Sequence, residues 1–234
     1  MDNYGVLYKL DEKKCRLPFY DIDDFNFAYT STRAKKDTVY FGFELEYYVH
    51  GWNKNQNTKI EVANRIYDKI KDKCLLYFCK STLDNTCTGE IVIAPLSYKY
   101  LLSNECNENM NEVLDIIRSE GGNETKKTGG HIHVSRMIDN NQANNMWKFA
   151  IENKEYFYDI SGRSEHSKWA QFHKYRFKCH SDAINRDNRN TIEFRFWSGT
   201  LDFEVMKRRA IFCMNLQEYF RTHTTGTLDD IIKY

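Results

Sequence analysis

Asn190-Thr191-Ile192-Glu193-Phe194-Arg195-Phe196-Trp197-Ser198-Gly199-Thr200 alternates its side chains with the period of a β-strand. Ile192, Phe194 and Phe196 take one face; Thr191, Glu193, Arg195 and Trp197 take the other. A carboxylate and a guanidinium two residues apart therefore stand side by side. On an interior face each charge needs a partner, because an unpaired buried ion costs several kcal/mol. On a half-exposed strand the same pair is an ordinary salt bridge. Three other stretches bear on the choice, since each repeats the arrangement.

The first is the strand expected over Thr38 to Val49. Val39, Phe41, Phe43 and Leu45 form its apolar side, and Tyr40, Gly42, Glu44, Glu46 and Tyr48 the other. Carboxylates at i and i+2 lie roughly 7 Å apart on a strand and repel. A cation, an arginine or water must offset them, and Gly42 leaves room for a close approach to the backbone. The second is Glu90-Ile91-Val92-Ile93-Ala94, where Glu90 is the only charge and Pro95 is expected to close the strand. In the third, Gly129-Gly130 leads into His131-Ile132-His133-Val134-Ser135. Its two imidazoles share a face and suit one metal ion or one phosphate, although such a pair alone is commonly polar surface. No third His or Cys lies at ligand spacing, so a tetrahedral zinc site is not expected.

Helical periodicity fills the intervals. Val62, Ala63, Ile66, Tyr67 and Ile70 mark a helix over 58–72, and Met110, Val113, Leu114 and Ile117 another that stops at Gly121-Gly122. Asp139 is expected to cap a helix running to about Phe157, and Asp202 a last long helix. Val205, Phe212, Leu216 and Phe220 share one face of that last helix, with Lys207, Arg208 and Arg209 on or near the other. Residues 226–232 read as one short amphipathic turn. Cys74 to Cys79 reads as a short apolar strand, Lys80 to Gly89 as a polar loop, and Tyr4 to Leu10 as a short strand in a segment suited to a lid or an edge addition. Within the basic and aromatic loop of residues 161–180, Arg163 beside Gly162 is most like an anion-binding arginine, and Arg176 is second.

Composition narrows the class. With 234 residues, two prolines and 15% aromatics, the chain is expected to be one folded domain of substantial size. A net charge of +1 gives no overall signal for nucleic acid or an anionic membrane. The apolar runs are too short to span a bilayer, and the polar N-terminus lacks a signal core. Seven cysteines, odd in number and without a CxxC pair, read as reduced thiols. A cytoplasmic protein is the expectation. If the four polar strand faces lie side by side, Glu44, Glu46, Glu90 and Glu193 line one cleft with His131, His133 and Arg195. Clustered carboxylates call for a divalent cation, and Mg²⁺ suits them because it also bridges phosphate oxygens. Arg195 and a loop arginine would then meet the phosphate.

In order along the chain stand Phe41-Gly42-Phe43-Glu44-Leu45-Glu46, Gly89-Glu90-Ile91-Val92-Ile93-Ala94-Pro95, Gly130-His131-Ile132-His133-Val134, Ser161-Gly162-Arg163, and Asn190-Thr191-Ile192-Glu193-Phe194-Arg195 followed by Ser198-Gly199-Thr200-Leu201. On these motifs the chain resembles the phage-type amidoligases of the glutamine synthetase-like carboxylate–amine ligase superfamily, over roughly residues 38 to 220. Ala94 stands where many relatives have Ser. The resemblance implies an α+β fold: a curved, mainly antiparallel sheet with helices on its convex face, forming one catalytic domain over 38–234. Residues 1–37 are then an unassigned N-terminal extension. It also implies an ATP-dependent ligase that phosphorylates a small-molecule or peptide carboxylate to an acyl-phosphate, which an amine attacks to give an amide or isopeptide bond. Neither nucleic acid nor membrane is an expected partner. Glu44, Glu46, Glu90 and Glu193 would hold two or more Mg²⁺ ions, with Mn²⁺ as a substitute. His131 and His133, with Arg189, would contact metal or nucleotide phosphate. Arg195, assisted by Arg163 or Arg189, would stabilise the phosphoryl group. Two other classes use the same residues: a metal-dependent phosphoesterase or nuclease working by two metals, and a non-catalytic nucleotide- or peptide-binding protein of the same fold.

Overall fold

One apolar row, Ile93–Phe43–Ile132–Phe194–Ile184, crosses five strands in register and defines the inside of the sheet. A computed structural model describes residues 8–9, 39–50, 61–62, 64–66, 68–70, 78–82, 87, 89–125, 128–168, 170–173, 182–188 and 190–233. Its strands are β1 (Tyr8–Lys9), β2 (Tyr40–Val49), β3 (Phe78–Thr82), β4 (Gly89–Ser97), β5 (Gly122–Asn123), β6 (Gly130–Ser135), β7 (Ile184–Asn185) and β8 (Thr191–Phe194). They form one open sheet in the order β1-β3-β4-β2-β6-β8-β7, with β5 pairing β2 beside that path. Every pairing between these strands is antiparallel. The helices are α1 (helical residues within 61–70), α2 (Tyr98–Leu101), α3 (Asn104–Ser119), α4 (Asn140–Glu152), α5 (Lys154–Ser161), α6 (Phe203–Thr222) and α7 (Leu228–Lys233).

The helices cover the apolar face. Met110, Val113, Leu114 and Ile117 of α3, Met146, Phe149 and Ala150 of α4, and Met206, Ala210, Cys213, Leu216 and Phe220 of α6 join Phe41, Phe43, Ile91, Ile132, Val134, Ile192 and Phe194 in one core. Each large side chain so buried contributes about 2 kcal/mol. Aromatic rings thicken the core beneath β8: Phe157 meets Phe196 edge-on at 5.4 Å, and Phe196 lies 4.5 Å from Trp197. The molecule is thus mixed α/β, with a mostly antiparallel open sheet. Among the described residues no helix is long and apolar enough to cross a membrane.

Several boundaries differ from expectation, each for a physical reason. β4 does not end before Pro95 but runs through it to Ser97. The register with β2 slips there, Phe41 facing Leu96 and Phe43 facing Ile93, so Ala94 and Pro95 together oppose Gly42. A bulge tolerates a residue with no N–H to donate. β8 stops at Phe194, and the alternation fails beyond Arg195: Trp197 is buried in the core, its Nε1 donating to Cys213 Sγ at 3.3 Å. The helix expected to reach Phe157 is two helices, interrupted at Asn153, whose side-chain amide turns back to donate to Phe149 O at 2.9 Å. β3 extends to Thr82, into the segment read as loop. Arg209 faces the protein rather than solvent, donating to Ser198 O at 2.6 Å above the Trp197 ring. Tyr8–Lys9 adds the outermost strand of the sheet. Arg176, Arg189 and residues 74–77 of the expected apolar strand lie outside the described residues.

Candidate active site

On the face opposite the core, the register assembles a second row, Gly42–His133–Glu193–Asn185, flanked by a shorter one, Val92–Glu44–His131. Glu46 and Glu90 stand directly opposite each other on β2 and β4. The strand alternation therefore delivers all seven expected groups of β2, β4, β6 and the end of β8 to one side of the sheet.

Glu44 is the hub. Its Oε2 lies 2.8 Å from His131 Nδ1 and its Oε1 3.0 Å from His133 Nε2. Glu193 Oε1 approaches both imidazoles, at 3.8 Å from His131 Nδ1 and 4.0 Å from His133 Nε2. On the other side of His131, Nε2 is 3.9 Å from Glu46 Oε1. Glu46 is itself fixed, its Oε2 accepting from Gly129 N at 2.5 Å. Glu44, His131 and Glu193 each offer one ligand atom, all within 4.8 Å of one another. Two carboxylates and one imidazole fit a hard or borderline divalent cation such as Mg²⁺ or Mn²⁺. Glu46 and Glu90 lie on the same face but outside that set of three.

Two arginines border the acids. Arg195 Nη1 donates to Glu193 Oε1 at 2.6 Å, while its Nε is buried with no hydrogen-bond partner among the described residues. Arg163 is buried just after α5, where Gly162 at φ +70° lets the chain turn back. Its Nε donates to Trp197 O at 2.8 Å and its Nη1 to Ser167 Oγ at 3.3 Å, so its bonds go to a carbonyl and a hydroxyl rather than to a carboxylate. Gly129 seals the junction: a Cβ there would stand 2.6 Å from Arg163 Nη2, 2.9 Å from His131 Nε2 and 3.0 Å from Glu46 Oε1. Any larger residue would require these three side chains to shift.

The electrostatics follow from the contacts. Burial alone would raise the Glu44 carboxyl, but the hydrogen bonds and positive charge of His131 and His133 more than offset it and hold Glu44 well below the ordinary carboxylate range. Burial alone would lower His133; the Glu44 hydrogen bond and the charges of Glu44 and Glu193 outweigh it and raise the imidazole. Burial lowers Arg163 somewhat, with Glu46 opposing, which leaves a guanidinium charged at any ordinary pH. Such an arrangement can hold a cation between carboxylates and present arginine N–H groups to an anion beside it.

Asn185 is the site residue that pattern reading missed. It lies in a two-residue strand within a polar segment, and only the β7–β8 register places it opposite Glu193. A separate polar cleft of about 600 Å³ is lined by Arg136, Asp139, Asn140, Arg186 and Asp187 among others. Arg136 there serves the fold, donating to the carbonyls of Ile138, Arg186 and Asn188 and to Asn140 Oδ1. No protein-family model matches the chain, and no curated protein matches it significantly.

Proposed function

We propose that this chain is an ATP- and Mg²⁺-dependent carboxylate–amine ligase of the glutamine synthetase-like fold, forming an amide or isopeptide bond through an acyl-phosphate. The observation that carries the reading is the convergence of Glu44, His131 and Glu193 beside Arg195, whose buried Nε–H has no acceptor among the described residues. Leaving such a donor unsatisfied costs about 1–3 kcal/mol, and a ligand oxygen would recover it. Glu44, His131 and Glu193 would hold one divalent cation, with Glu46 and Glu90 contributing to a second. Bound there, the cation would supply positive charge that offsets the acids and the negative charge of nucleotide phosphate. Arg195 orients its guanidinium by anchoring Nη1 on Glu193, which leaves Nε to stabilise charge on the oxygens of the phosphoryl group as it passes to the substrate carboxylate. Arg163 adds a second positive charge, held in place by Trp197 O and Ser167 Oγ. The expulsion of phosphate by the incoming amine completes the amide.

The test is a nucleotide assay. Purified protein given ATP, Mg²⁺ and a pool of amino acids and peptides should release ADP and phosphate, and Glu193→Ala should reduce the rate by 100-fold or more, on the order expected for loss of a residue at the reacting centre. Equal rates for wild type and Glu193→Ala would refute the site. Phosphodiester cleavage without ATP would move the protein to the phosphoesterase class.

A further inference from the structure

Asn185 stands outside every motif, yet its side chain is tied at both ends. Its Oδ1 accepts from the Asp187 N–H at 3.1 Å. That bond fixes which way the amide faces, so Nδ2 is the end that meets Glu193 Oε2, at 2.9 Å. Glu193 Oε1 is meanwhile held by Arg195 Nη1 at 2.6 Å. Both carboxylate oxygens of Glu193 are thus anchored from outside the ligand set, and Oε1 retains capacity toward His131 and His133. Of the two anchors, Arg195 belongs to the proposed phosphate machinery; among the described residues the Asn185 side chain hydrogen-bonds only Glu193 and the Asp187 N–H.

We propose that Asn185 is a positioning residue. It sets the plane in which Glu193 offers its carboxylate to a divalent cation, and it does so without adding charge. This rests on the metal site proposed above. A neutral donor suits the place. An aspartate would keep the turn by accepting the same Asp187 N–H, but it would set a second carboxylate about 3 Å from Glu193, and two acids that close share a proton. A serine or a threonine would retain a short acceptor for the turn, leave the charge unchanged and fall short of Glu193. The two variants therefore separate the turn from the orientation of Glu193.

The experiment is a Mn²⁺ titration of the metal-free full chain, read by loss of the free-ion EPR signal, with circular dichroism to verify folding. Partners that orient a metal ligand are worth about 10- to 100-fold in affinity. Asn185→Ser is expected to weaken Mn²⁺ binding at least 10-fold while folding, and to raise the Mn²⁺ concentration that half-activates ADP release more than it lowers kcat. Asn185→Thr, which keeps a hydroxyl acceptor for the turn on a residue at home in a strand, is expected to weaken Mn²⁺ binding by the same factor. Wild-type affinity in either variant would overturn the role of Asn185 and leave the metal site standing. Should neither variant fold, Asn185 is a residue of the fold and its positioning role is overturned as well. A wild-type chain that binds no Mn²⁺ overturns both.

Discussion

Glu44 keeps its charge although it is largely withdrawn from water, and in doing so it disfavours the neutral form of His133. Its depressed pKa and the raised pKa of His133 are two sides of one contact. Their effects on stability run in opposite directions along the pH axis. The Glu44 contribution is present above its ordinary value of 4.5 and lost as pH falls toward its depressed folded value. The His133 contribution is full below its ordinary value of 6.5 and lost as pH rises through its raised folded value. In the metal-free protein the pair is therefore most stabilising at about pH 5–6. His133→Gln should lower the thermal midpoint most in that window, and the difference from wild type should shrink above neutrality; melts at a series of pH values in chelator measure it. A difference that grows toward alkaline pH would mean that His133 is held neutral in the fold.

At the scale of elements, the period-two alternation of β2, β6 and β8 was enough to sort Phe43, Ile132 and Phe194 from Glu44, His131 and Glu193, because one face of each strand must enter the core. Ends of elements were less legible. Pro95 read as a stop because its missing N–H breaks a ladder, but the bulge opposite Gly42 removes the demand for that bond. Trp197 read as a polar-face residue because the alternation was extended past Phe194, where the chain leaves the strand and the ring turns into the core. Helix α6 carries a buried polar residue that a hydrophobic stripe does not anticipate. Gln217 accepts from Met137 N at 3.2 Å and donates to Ser135 O at 3.4 Å, so it docks α6 onto the end of β6. Gln217→Leu leaves both backbone groups without those partners in a buried position. It should destabilise the fold by about 1–3 kcal/mol in urea denaturation, with the m-value unchanged. A neutral outcome would mean that water replaces the amide at this junction.

At the scale of the whole molecule, the candidate site exists only because distant strands become neighbours. The order β4-β2-β6-β8-β7 places β2 and β8 on either side of β6, and no local pattern encodes that order. The residue types and their facing could be read along the chain, whereas the distances among Glu44, His131 and Glu193, and the partnership of Asn185 with Glu193, depend on the pairing. The same fact has a thermodynamic consequence. An unfolded chain scatters these three ligands, so a cation that needs all three binds the native state alone and stabilises it by linkage. At a free Mn²⁺ concentration 100 times its Kd the gain is about 2.7 kcal/mol. For a chain of this length that is a rise of roughly 5–10 °C in the unfolding midpoint. Chelator should reverse the rise fully. Glu44→Gln and Glu193→Gln each remove a charged ligand and should abolish it, whatever their own midpoints without metal. The shift should also grow with the logarithm of Mn²⁺ concentration, since each tenfold excess adds about 1.4 kcal/mol. A midpoint that rises equally in wild type and both variants would mean that the ion binds elsewhere, and the three strands would then share a face for reasons of charge balance alone.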